Sequence, residues 1–255
     1  MNQIVRYPLL VLALGLVTLW LSAKIGAFLR KRRRNPEEAE REDFGVVVAA
    51  SLTLLALIIG FSFSMASSRY DQRKNLEESE ANAIGTEYVR ADFLPVADAA
   101  RVRTLLRSYL DQRVLFYETR DARQLRQIDG ATAQLETDLW SAVQAPAAAQ
   151  PTPVVAIAVT GMNDVLNSKG YTQAAWLNRI PIATWGLMAA IAICCNLLIG
   201  YGARRGETKA VLLLVLPLIV SVSFALIANI DSPRGGMVRV HPQNLASLSQ
   251  SLHAH

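Results

Sequence analysis

GFSFSMASSRYDQRKNLEESEAN, residues 60–82, begins with the composition of a membrane interior and ends with that of a helix in water. It contains no Pro, and its only Gly is Gly60 at the start, so nothing within it breaks a helix. The stretch therefore reads as one helix that crosses a membrane boundary without stopping. Working outward, no Pro occurs between Pro36 and Pro95, and the glycines at 45, 60 and 85 are isolated. A single helix of about 50 residues, roughly 75 Å long at 1.5 Å per residue, is the expectation for 36–94.

The 255 residues are 52% apolar and hold four long uncharged stretches, 7–23, 44–68, 180–203 and 210–230. Each is close to the roughly 20 residues that span about 30 Å of hydrocarbon. The fold class that follows is an all-α integral membrane protein with four transmembrane helices. A helical extramembrane bundle is formed by extensions of the second and third spans. The first stretch is short, so Lys24 must snorkel to the interface. Met1 to Ala23 also has the layout of a secretory signal, but the basic run just after it disfavours translocation and favours a retained anchor.

The net charge of +5 does not point to nucleic acid, because residues 69–179 carry 13 Lys/Arg against 14 Asp/Glu. The excess flanks the membrane helices: Arg30, Lys31, Arg32, Arg33 and Arg34 follow the first, and Arg204, Arg205 and Lys209 lie between the third and fourth. The positive-inside rule places both loops in the cytoplasm. Both termini and residues 69–179 are then outside a cytoplasmic (inner) membrane. Cys194 and Cys195 sit in the third span as lipid-facing or packing residues, and the three His lie in the C-terminal tail. Neither set has metal-ligand spacing, so no metal or cofactor is expected.

The chain divides as follows. Residues 1–35 carry the first membrane helix and a basic loop, and 36–94 the second span with its extension. Residues 95–179 form a helical region with a Pro/Ala linker at 146–153 (PAAAQPTP), 180–230 the third and fourth spans, and 231–255 a tail. Asn35-Pro36-Glu37-Glu38 supplies the start of the long helix, and Pro95 ends it. Beyond Pro95, Val102, Leu105, Leu106, Tyr109, Leu110 and Leu115 form one apolar stripe, and Leu125, Ile128, Leu135, Leu139 and Trp140 another.

Steps of three and four along the long helix give a seam: Thr53, Leu57, Phe61, Ser64, Ser68, Asp71, Asn75, Glu78 and Asn82. Its face is apolar within the membrane and polar beyond it, with Gly60 beside Phe61. Such a face either lines water between several copies or buries a hydrogen-bonded network between helices. The small residues Gly60, Ser62, Ser64, Ala66, Ser67 and Ser68 also suit close helix packing. Asp71 and Glu78 also read as simply solvated, because Arg69 and Arg73, Arg73 and Glu77, and Lys74 and Glu78 are i,i+4 neighbours on an exposed helix.

Gly60-Phe61, Ser64 and Ser68-Arg69-Tyr70 resemble the pore-lining neck helix of bestrophins. EANAIGTEYVRADFLP (80–95), NRIP (178–181) and DSPRGGMVRVHP (231–242) resemble the bacterial bestrophin-like domain family, multi-pass membrane proteins of unknown function. The first resemblance implies a neck at Thr53, Leu57 and Phe61, in a homo-oligomer whose partners are the lipid bilayer and inorganic ions. Bestrophins send this helix into the cytoplasm, whereas the basic loops here send it outside.

At the end of the fourth span, Asp231 and Arg234 share a membrane surface with Arg69 and Asp71. A cross-helix pair is the expectation there, Asp231 with Arg69 or Arg234 with Asp71. The alternative is that Pro233, Gly235 and Gly236 simply stop the helix while the charges anchor it. No catalytic motif is present, so the chain does not read as an enzyme. Two functions stand: an oligomeric ion-conducting protein with the second span lining the pore, or a non-conducting scaffold or sensor that presents a helical bundle outside the membrane.

Overall fold

The computed structural model describes residues 7–31, 38–203 and 212–254. The Asn35-Pro36-Glu37 start signal, Arg32 to Arg34 of the basic run and the cluster Arg204, Arg205, Lys209 lie outside them. Eight α-helices are present among the described residues: α1 (Pro8–Lys31), α2 (Glu38–Arg90), α3 (Val96–Glu118), α4 (Ala122–Ala149), α5 (Pro153–Leu177), α6 (Ile182–Gly202), α7 (Leu212–Asp231) and α8 (Gln243–His253). No strand occurs among those residues, and four helical segments are long and apolar enough to cross a membrane. The molecule is an all-α membrane protein.

The chain forms two compact units, Met1–Arg69 with Arg179–Arg239, and Tyr70–Asn178 with Val240–His255. In the first, α1 packs on α6 and α7. Contact is close because the glycines permit it: a side-chain carbon on Gly26 would collide with the Leu197 carbonyl oxygen, and one on Gly200 with that of Ala23. Arg30 donates to the last carbonyls of α6, Tyr201 (3.0 Å) and Gly202 (2.8 Å), where a cation meets the negative end of the helix dipole. Lys24 reaches back over the Trp20 ring, 5.3 Å from its centroid. Leu19, Met188, Ala192, Ile227 and Ala228 fill the centre, with Leu55 and Ala66 contributed by α2. Of the two thiols, Cys195 is buried and Cys194 exposed.

In the second unit, the 53-residue α2 supplies its C-terminal part, and α3, α4, α5 and α8 surround a core of Ile84, Val102, Leu106, Leu110, Leu139, Met162 and Leu245. Phe116, Tyr117 and Trp176 form a ring cluster with centroids 5.1 to 5.5 Å apart. A short 3-10 turn, Ala91–Phe93, leads from α2 to Pro95, the N-cap of α3. The Asp121 side chain caps α4, and Thr152 caps α5 with Pro153 in its first turn.

Three local expectations change. The stretch 146–153 is helical as far as Ala149, leaving only 150–152 between α4 and α5, because a Pro four residues from a helix end forfeits one hydrogen bond and Pro146 is buried. Leu115 and Trp140 are 38% and 39% exposed, each displaced around its helix from the buried stripe of Leu106 and Leu110 or of Ile128 and Leu139. The tail contains α8, whose Leu245, Leu248 and Leu252 pack onto the second core.

Candidate functional site

The positions on α2 that the chain buries are Leu55, Ser62 and Ala66 in the first unit and Arg73, Glu77, Glu80, Ala81, Ile84 and Glu87 in the second. They recur at helical spacing and define one face. The seam residues lie half a turn away. Thr53, Leu57, Gly60, Phe61, Ser64 and Ser68 are all exposed, as are Asp71, Asn75, Glu78 and Asn82. Phe61 is 66% and Leu57 52% exposed. The Thr53 hydroxyl donates to Ala49 O (2.9 Å), so it is satisfied within its own helix. A side-chain carbon on Gly60 would meet nothing within 4 Å, so no neighbour among the described residues requires a glycine there.

Asp71 and Glu78 are exposed, but the expectation that their i,i+4 neighbours share an exposed helix is corrected at Arg73 and Glu77, each 1% exposed. Arg73 donates to the Ala175 (3.2 Å) and Asn178 (3.3 Å) carbonyls at the C-terminus of α5. The Glu77 carboxylate accepts from the Leu245 N–H (2.9 Å) and the Asn244 amide (2.7 Å) at the N-terminus of α8. Each charge thus faces the helix end of opposite partial charge. Glu80 is ion-paired with Arg113 of α3 and accepts from Tyr117 (3.1 Å) and Thr172 (3.2 Å), all fully or nearly buried. Burial alone would lower the Arg113 pKa, but Glu80 beside it raises it above the ordinary value. Burial, reinforced by Glu80, pushes the Tyr109 and Tyr117 phenols far above theirs, so both stay neutral.

At the end of the apolar part of α2, Arg69 Nη1 lies 3.5 Å from Asp231 Oδ1 of α7. Asp231 is 1% exposed, and its two oxygens also accept from the Ile180 N–H (3.1 and 3.2 Å), just before α6. One carboxylate therefore ties three membrane helices together. The 232–238 loop folds back: Asn229 Oδ1 accepts from the Met237 and Val238 N–H groups, and Gly236 abuts the Asn229 carbonyl too closely for a side chain. Arg234 is half-buried in that loop.

Arg73, Glu77, Glu80, Glu87 and Arg113 were not among the candidate residues. The signal for the α2 members was their spacing of four, three and seven, in phase with Ser62 and Ala66. Among the described residues no group of three His, Cys, Asp or Glu is placed to hold a metal ion.

The Bestrophin-like domain model matches residues 10–245. No curated protein matches the chain. Among solved structures, the chain is similar to a variant of a bacterial Bestrophin homolog from Klebsiella pneumoniae, with TM-score 0.66 and 12% identity over 97% of this chain and 98% of that one. Another structure of that homolog gives TM-score 0.64 and 13% identity over 96% and 97%. At such identity the likeness shows the fold. The family is carried by the domain match, and the chain belongs to the Bestrophin-like domain family.

Proposed function

We propose that the protein is an oligomeric ion-conducting membrane protein in which α2 from several copies surrounds a pore. The observation that supports this is the division of α2 into two faces. One is packed by the chain itself, and the opposite one, from Thr53 to Asn82, is left uncovered. On this reading Leu57 and Phe61 form an apolar constriction, and Ser64 and Ser68 line the wetter side. The polar cluster Asp71, Asn75, Glu78 and Asn82 continues the wall beyond the bilayer, while the Arg69–Asp231 pair fixes α2 against α7. Gly60 gives close approach to something outside the chain, a neighbouring copy or the pore itself. The reading takes three or more copies around one axis, since a single copy of four membrane helices encloses no channel.

The sidedness proposed with it puts both termini and residues 69–179 outside the cytoplasm, in the inner membrane. Labelling of single cysteines at Ser67 and Arg32 by an impermeant reagent tests that, with Ser67 reached from outside and Arg32 only from inside. Purified protein in planar bilayers tests conduction. Currents are expected on this reading, and they should change when Phe61→Ala removes the constriction. Absence of current, or a monomer in mild detergent, contradicts it and leaves the non-conducting scaffold.

A further inference from the structure

Of the charged residues on the buried face of α2, Arg73, Glu77 and Glu80 have the partners described above, and Glu87 does not. It is 0% exposed, and neither carboxyl oxygen has a hydrogen-bond partner among the described residues. Its carboxyl lies directly against α5 at Gly161, where any side-chain carbon would collide with Oε2. An ionised carboxylate in such a place has lost its water without gaining a donor, a cost that the group avoids by keeping its proton. The charged side chains acting on it are Arg90, on α2 itself, and Asp164, from α5. Burial raises the Glu87 pKa most, Arg90 opposes that, Asp164 adds to it, and the result is a carboxyl pushed up to about 8.

We propose that Glu87 is a proton-binding site of the helical bundle, protonated at neutral pH, whose deprotonation loosens α2 from α5 at Gly161. The ionised group has no donor where it stands. The Arg90 guanidinium also overlies Gly161, so a carboxylate that pairs with Arg90 or draws in water must rearrange the side chains packed on that glycine. The site does not depend on whether α2 lines a pore.

The folded-state pKa lies above the ordinary value of 4.5, so the folded protein holds a proton that the unfolded chain releases between about 4.5 and about 8. The stability contributed by the neutral carboxyl is complete below that window, falls as pH rises through it, and levels off above it. Thermal unfolding of the full chain in detergent from about pH 5 to about pH 9 tests this against Glu87→Gln, which keeps the shape without the charge. The Gln variant is expected to gain several degrees on the wild type as pH rises; a difference that stays constant across the range overturns the proposal. Infrared spectra of wild-type protein with labelled glutamate decide the matter even if the variant fails to fold. A protonated-carboxyl band at neutral pH that disappears with a midpoint near about 8 supports the site, and its absence at neutral pH overturns it.

Discussion

Gly60 and Gly200 are both small residues on membrane helices, and a methyl group would meet opposite fates at the two. At Gly200 it strikes the Ala23 carbonyl, while at Gly60 it meets open space. Gly200→Ala is therefore expected to cost about 1–3 kcal/mol of stability through forced separation of α1 and α6, read as a lowered unfolding temperature in detergent. Gly60→Ala should leave that temperature nearly unchanged and alter assembly or current instead. The Glu80–Arg113 pair gives a second contrast. Arg113→Met strands a buried carboxylate and is expected to cost about 3–5 kcal/mol, whereas adding Glu80→Leu removes the stranded charge and restores most of the loss. If the double variant is no more stable than the single one, the Tyr117 and Thr172 hydroxyls suffice to hold the Glu80 carboxylate without Arg113. Neither residue stood out in the sequence. The partners of these charges are remote, with Glu80 and Thr172 separated by 92 positions and Glu77 and Leu245 by 168.

At the scale of elements, α2 decides the architecture, and its course was legible: an uncharged run continuing into a charged one with no breaker between Pro36 and Pro95. Which side it buries was not. Beyond Arg69 both faces carry charge, so hydropathy no longer separates inside from outside, and a buried acid satisfied by a helix end looks in sequence like a wet one. α8 escaped notice for a related reason, since Ser and Gln fill it and only three leucines mark its stripe. In the segment 146–153, Pro and Ala have the composition of a linker, yet Ala is the strongest helix former and α4 continues through Pro146 to Ala149. The Glu77 cap makes α8 testable as a unit. Glu77→Ala is expected to cost about 0.5–2 kcal/mol and to speed hydrogen exchange at residues 243–253. Unchanged exchange there would show that the leucine contacts alone hold α8.

For the whole molecule, the described interior accounts for one face of α2 and leaves the other without a partner among the described residues. An uncovered surface that is apolar between Thr53 and Phe61 and carries Asp71 and Glu78 farther on makes physical sense when copies of the chain bring it together around water. The measurement that reaches this claim most directly is block of bilayer current by a charged thiol reagent. Single cysteines are placed in turn at Ser64 and Asn75 on the open face and at Ala66 on the buried one, with Cys194 and Cys195 replaced by Ala. On this claim, the reagent is expected to alter current through the Ser64 and Asn75 variants and to spare the Ala66 variant. Current that is insensitive at Ser64 and Asn75, or no current from any variant or the parent, would contradict it.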